Sequence, residues 1–334
     1  MEETRKNRLL QGLDTFINIC RYSICVGFLL VGFSQYSSAA IFTSGNVLAS
    51  HDQVLYEYSL SGDLVQQIPI PHPDTSRYDA VDVVTDRAGR ALILNIAPFD
   101  NDYLSIYTPS TNSWEHVRII AFFGNTSDGD LSILKDFVYT KNLRINLETN
   151  FASSVDIPGR GVAEISAGFD GLLYALDSGS PRHGVRVLDP ESLDIVREFE
   201  LLDNLGSRID ARGISVSADG KIYVLTFDGD ILVYSSTGVL ELTALSLITR
   251  TADLDLREDG TLIGGGDDGQ FFIHTVDELG VSNPMIVDLP SSSFDSTYVA
   301  FVDSPVISEA EAEAEAEICF PIRARNRAVV LICL

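Results

Sequence analysis

A six-bladed β-propeller is the fold this sequence predicts, and three observations carry the prediction. The first is a unit of four short strand-like runs, clearest at Ile209–Leu245. There Arg212–Ser217, Lys221–Phe227, Asp230–Ser235 and Val239–Leu245 are separated by Ala218-Asp219-Gly220, Asp228-Gly229 and Ser236-Thr237-Gly238. Val, Ile, Tyr, Phe and Thr fill such runs, and Gly, Asp, Asn and Ser punctuate them, as strands and tight turns require. The second is recurrence. The third-strand runs Leu55–Ser59, Leu104–Thr108, Leu143–Leu147, Val185–Asp189, Ile231–Ser235 and Phe271–Thr275 have as fourth residues the anchors Tyr58, Tyr107, Asn146, Leu188, Tyr234 and His274, spaced 49, 39, 42, 46 and 40 residues apart. Four strands about every 40 residues is the repeat of a propeller blade. The third is a surplus strand, the β-branched and aromatic run Thr297–Val302, which no further blade follows.

The elements follow in chain order. Residues 1–40 stand apart from the repeats. Arg5, Lys6, Arg8 and Arg21 precede the uncharged apolar run Ile24–Phe33, and Ser38-Ala39-Ala40 follows it. This order predicts a cleaved secretory signal with a long basic leader. The apolar run is short for a membrane span, so no stable span is expected after cleavage. Blade 1 begins at Asn46–Ser50, which already has the character of a second strand; Thr297–Val302 is therefore expected to supply its innermost strand and close the ring. First strands are predicted at Val81–Thr85, near Asp130–Leu134, and at Ala163–Ala167, Arg212–Val216 and Ala252–Leu256. The stretch 119–158 is the poorest in pattern, and splitting it in two is the rival, seven-bladed reading. The domain organisation is then signal peptide 1–40, propeller 41–304 and tail 305–334. In the tail Glu309–Glu317 alternates with Ala, and Arg323, Arg325 and Arg327 precede the apolar end Ala328–Leu334. Such an acidic run is low-complexity in character.

Composition narrows the partners. Formal net charge is −25, and residues 41–304 alone hold 40 acidic against 16 basic residues. Nucleic acid and anionic membrane surfaces are excluded as partners of such a body, whereas cations and basic ligands suit it. The same charge also serves solubility in an extracellular medium. All four cysteines, Cys20, Cys25, Cys319 and Cys333, lie outside the propeller, which therefore has no disulfide framework and no thiolate metal site. A monomer of this size has core enough to fold without either.

The alignment of first strands places acids at one position: Asp82, Glu164 and Asp253, with Asp130 taken as their equivalent and Gly213 as the exception. First strands line the central channel of a propeller. Carboxylates converging there make an oxygen-rich site for a hard cation such as Ca²⁺. The competing reading has each acid hydrogen-bonded to nearby backbone. The longer loop Ser178–His183 places Arg182 and His183 on a face of the ring, where loops form binding surfaces. Other motifs are turns. Asp128-Gly129, Asp228-Gly229 and Asp268-Gly269 suit hairpins, and Gly264-Gly265-Gly266 is followed by no Lys-Ser/Thr and is not a phosphate loop. The histidines are scattered over separate blades, and no Gly-x-Ser-x-Gly elbow is present.

The steps Ser217-Ala218-Asp219-Gly220-Lys221-Ile222-Tyr223-Val224 and Val187-Leu188-Asp189-Pro190-Glu191-Ser192-Leu193 resemble bacterial secreted propellers of the NHL, YVTN and gluconolactonase-like kinds. With its leader and acidic run the chain is also similar to exported propellers that carry a Pro-Glu-Pro sorting tail. It departs from them where the basic residues precede the apolar segment and no Pro-Glu-Pro occurs. The resemblance implies a secreted, periplasmic or cell-surface protein. Its first functional expectation is a non-enzymatic binding or surface-associated module with an extracellular ligand or protein partner. Its second is a calcium-dependent hydrolase or lactonase resembling gluconolactonases, with the metal on the channel carboxylates. The Asn ligands usual in that family have no counterpart that the alignment finds here.

Overall fold

The computed structural model of the chain describes residues 41–71, 79–96, 102–119, 131–141, 143–149, 151–155, 157–158, 162–177, 183–267, 269–290 and 295–302, and the backbone of 319–323 and 329–333. The predicted signal segment, Asp130 and Arg182 lie outside these residues. Blade 1 contains β1 (Val47–His51), β2 (Val54–Tyr58) and β3 (Leu64–Pro69). Blade 2 is β4 (Asp79–Thr85), β5 (Ala91–Ile96), β6 (Asp102–Thr108) and β7 (Ser113–Ile119). Blade 3 is β8 (Ser132–Leu134), β9 (Phe137–Tyr139), β10 (Leu143–Asn146) and β11 (Phe151–Ser154). Blade 4 is β12 (Val162–Ala167), β13 (Leu173–Asp177), β14 (Gly184–Leu188) and β15 (Ile195–Glu200). Blade 5 is β16 (Ala211–Val216), β17 (Ile222–Thr226), β18 (Asp230–Tyr234) and β19 (Leu240–Leu245). Blade 6 is β20 (Thr251–Leu256), β21 (Thr261–Gly266), β22 (Gln270–Thr275) and β23 (Met285–Asp288). Finally β24 (Tyr298–Phe301) returns to blade 1.

Each blade is a four-stranded antiparallel sheet, and blade 1 has the order β24-β1-β2-β3. Tyr298 faces Ser50 and Phe301 faces Val47 across that closing pair. The ring therefore closes as expected, with the late strand innermost, and the stretch 119–158 supplies one blade of short strands. Beyond the ring, Cys319–Arg323 and Val329–Cys333 pair as an antiparallel hairpin.

The core lies between blades. Strands that are buried on both faces, such as β5, β13 and β17, read as continuous apolar runs, whereas outer strands such as β15 and β19 are half exposed. The blade 1–blade 6 seam packs Tyr56, Tyr58, Val299 and Phe301 against Ile263, Phe271 and Val287. The third-strand anchors Tyr58, Tyr107, Leu188, Tyr234 and His274 are all buried. Two anchor hydroxyls make half-buried hydrogen bonds: Tyr107 donates to Asn112 Oδ1 (3.1 Å) and Tyr234 to the Leu202 carbonyl (3.1 Å). Gly264-Gly265-Gly266 also acquires a role in packing. A Cβ on Gly265 would run into the Thr297 carbonyl oxygen at the start of the closing strand, so the bare backbone lets blade 6 receive β24.

Candidate functional site

The inner strands of four blades carry the same irregularity. Register against the second strand shifts between Ala80 and Asp82, Val162 and Glu164, Ala211 and Gly213, and Thr251 and Asp253. Each is a one-residue bulge immediately before the aligned acid position, which re-aims the side chain that follows it. Register places Asp82, Glu164 and Gly213 opposite Leu94, Leu176 and Leu225. Asp82, Glu164 and Asp253 thus occupy one level of the channel wall. All three are buried, with 3%, 5% and 7% of their surface exposed.

Their hydrogen bonds run from blade to blade. Asp82 Oδ2 accepts the Leu131 N–H of blade 3. Glu164 accepts the Ile214 N–H of blade 5. Asp253 Oδ2 accepts the Val299 N–H of β24 at 2.6 Å. In the last two cases the donor follows the residue at the aligned position of the next blade, Gly213 and Tyr298. Asp255, two residues beyond Asp253 on the same face, accepts the Phe301 N–H at 2.9 Å and the Leu256 N–H at 2.7 Å. The inner strands of neighbouring blades are not paired in a common sheet, so these carboxylates satisfy N–H groups that would otherwise be orphaned. Gly213 offers no carboxylate, and the approach there is closer: a Cβ on it would lie 2.7 Å from Leu254 Cβ and 3.1 Å from the Leu254 nitrogen.

The cluster is electrostatically strained. Burial pushes the Glu164 carboxyl well above the usual range and the charges of Asp253, Asp82 and Asp255 push it further, with the Ile214 N–H opposing. Burial, then the charge of Asp82, raises Asp253 in the same way, against the Val299 N–H. Asp255 is raised by burial and lowered by its two N–H donors. Desolvation and like charge both disfavour the ionised form. Tyr298, at the corresponding position of blade 1, is raised by burial and by the charges of Asp82 and Asp253.

This level is the floor of a funnel of about 970 Å³. Among the described residues, its lining on the inner strands runs from Asp82, Leu131, Glu164, Ile214, Asp253 and Val299 toward the first hairpin turns. The next layer up is narrow-chained: Val84, Ser132, Ser166, Ser215, Asp255 and Ala300. The mouth carries Arg87, Lys135 and Arg257 on the turns. Arg257 is engaged there by Asp259, by the Gly45 carbonyl (2.7 Å) and over the Phe301 ring.

The structure therefore brings Asp82, Glu164 and Asp253 to one level and gives each a backbone donor. Among the described residues, no group of three or more His, Cys, Asp or Glu side chains has the arrangement of a metal centre. His183 lies elsewhere, beside a cavity of about 350 Å³ lined also by Asp177, Arg186, Glu198 and Glu200. Its Nδ1 is enclosed without a hydrogen-bond partner. Arg186 bridges Asp177 at 2.5 Å and donates to the Pro158 carbonyl at 2.8 Å.

Two features were missed by reasoning from sequence. Asp255 stands outside the aligned acid position, but its spacing of two from Asp253 on a strand puts both on one face. The cross-strand chain Asn95 Nδ2 to Ser105 Oγ (2.8 Å) and Ser105 Oγ to His116 Nδ1 (2.8 Å), under Trp114, carries no motif in the sequence. Burial lowers the His116 imidazole.

No protein-family model matches the chain, and no curated protein sequence matches it. Solved structures do. TolB from Acinetobacter baumannii is 12% identical over 79% of this chain and 68% of its own, with a TM-score of 0.57. The Pan2 WD40 domain from Neurospora crassa is 12% identical over 76% and 79%, with a TM-score of 0.48. At such identity the likeness to TolB is one of fold alone, and it agrees with six four-stranded blades closed into a ring.

Proposed function

We propose that the chain is a secreted, non-enzymatic propeller module that binds its ligand in the central funnel. The carrying observation is an open-mouthed funnel of about 970 Å³ that ends on a floor of buried carboxylates. A concave site with a few convergent polar groups is the usual form of a ligand pocket. Export is supported by the basic leader, apolar run and Ser38-Ala39-Ala40, and the acidic body favours an extracellular ligand that is not an anion. The second reading, a calcium-dependent hydrolase, is favoured by the shared level of Asp82, Glu164 and Asp253. It is opposed by the backbone N–H groups those carboxylates already accept.

One experiment separates the two. Thermal melting of the chain is recorded against a panel of small molecules and peptides, with and without calcium chloride, for wild type and for Ser166→Trp, which fills the layer above the floor. A ligand bound only to the folded state raises the melting temperature. Binding in the funnel predicts shifts that Ser166→Trp abolishes, with no lactone or ester turnover. Calcium-stimulated turnover lost in Glu164→Gln would establish the hydrolase instead, and shifts that survive Ser166→Trp would move the site elsewhere.

A further inference from the structure

We infer that the floor of the funnel recognises the positively charged end of a slender ligand, an ammonium or guanidinium group on an unbranched stem, with Glu164 as its principal acceptor. This rests on the reading of the funnel as the binding site and names the class of ligand it takes.

The carboxylates of the floor and of the layer just above it are unequal. Asp82 uses Oδ1 on the Val83 N–H (2.6 Å) and Oδ2 on Leu131. Asp255 uses both oxygens on Leu256 and Phe301. Asp253 accepts from Val299 and from Leu254. Glu164 accepts from Ile214, but its Oε2 is buried with no hydrogen-bond partner. A buried acceptor left unmade costs stability, more so when the group is charged, so this oxygen marks the point at which the site is incomplete without a donor.

The missing group is a cation on two further grounds. Among the described residues, the basic side chains that line the funnel are Arg87, Lys135 and Arg257, all on the turns at the mouth. The floor itself holds acids, and their charges act on one another: Glu164 feels Asp253, Asp82 and Asp255. Low-dielectric walls of one sign focus a field toward such a floor. A compact metal ion fits less well, since no triad of these acids has metal-centre geometry, whereas a hydrogen-bonding cation needs only one free oxygen and the surrounding field.

The shape of the passage sets the stem. The layer above the floor consists of Val84, Ser132, Ser166, Ser215, Asp255 and Ala300, which are short side chains that leave the axis open. From floor to turns the inner strands run about four residues, or roughly 13 Å. A lysine or arginine side chain, about 6–7 Å from Cα to its charged group, covers about half of that distance, so its backbone enters the funnel as far as the upper part of the inner strands. Protons compete for the same oxygens, because Glu164 and Asp253 hold theirs more tightly than free carboxyls do. Cation binding therefore releases protons and tightens as pH rises through the range in which these groups ionise.

The test uses the whole chain with acetyl-lysine amide and acetyl-arginine amide as probes. Acetyl-norleucine amide serves as the neutral isostere, and calcium chloride as the metal control. Calorimetry in two buffers of different ionisation heat reads affinity and proton release together, for wild type, Glu164→Gln and Ser166→Trp. The expected result is binding of the cationic probes with proton release, at least about tenfold weaker binding of the norleucine probe, and a comparable loss in Glu164→Gln. The melting curve of each variant confirms that it is folded. Equal binding of charged and neutral probes, or binding untouched by Glu164→Gln, overturns the inference. So does the failure of every cationic probe up to millimolar concentration. If the neutral probe binds as well as the cationic ones and Ser166→Trp abolishes both, the funnel remains the binding site and only its charge class falls. If Ser166→Trp leaves binding intact, the funnel reading falls with it.

Discussion

At the scale of single residues, Glu164 connects stability to pH. Its carboxyl is raised by burial and by neighbouring acids, so the unfolded chain gives up that proton near the ordinary glutamate value of about 4.3 while the folded chain retains it. The stabilisation is complete below that value and is lost as pH rises through the folded value. Glu164→Gln keeps an oxygen for the Ile214 N–H and removes the charge. It should melt with wild type below the ordinary glutamate value and gain on it progressively as pH rises above that value, because only wild type must then ionise a buried carboxyl. Parallel melting curves across that range would sink this account. The acids themselves were legible in the sequence, because a shared position in the repeat exposes them. Their acceptor roles were not. The donors Ile214 and Val299 belong to the next blade, and Val299 is 46 positions away from Asp253.

At the scale of elements, the inner strand is the unit that both builds the channel and joins the blades. Four of them share a bulge at the same place, yet no common residue type marks it: Val81, Ala163, Arg212 and Ala252. The bulge is a property of pairing, so the strands could be found by pattern while their kink could not. Gly213 illustrates the same limit. It reads as a missing acid, but the structure shows it as a point of close approach between blade 5 and blade 6. Gly213→Ala should therefore destabilise the chain by about 1–3 kcal/mol, the usual cost of overpacking a tight contact. The same substitution at Gly171, with open space around it, tests only its left-handed backbone (φ 80°) and serves as the control. A Gly213→Ala variant that melts with wild type would mean that the two strands separate freely there.

At the scale of the whole molecule, the closing strand β24 decides whether six blades make one cooperative body. The sequence revealed it as a strand without a blade, and the register of blade 1 confirms its place. Its hydrogen bonds reach both neighbours. Val299 and Phe301 donate to Asp253 and Asp255 of blade 6, while the Phe301 carbonyl accepts the Thr85 hydroxyl of blade 2 at 2.8 Å. Val299 and Phe301 also fill the seam between blades 1 and 6. Ending the chain after Ser296 would expose the fully buried edge of β1, take one backbone donor each from Asp253 and Asp255 and open the ring at its seam. Each of these costs is comparable with a sizeable share of a domain's net stability. The truncated chain should lose its cooperative thermal transition and become sensitive to protease throughout, instead of fraying in blade 1 alone. Protection confined to blades 2–5 would show that the ring is a row of independent sheets, and an unchanged melting temperature would show that closure contributes nothing to its stability.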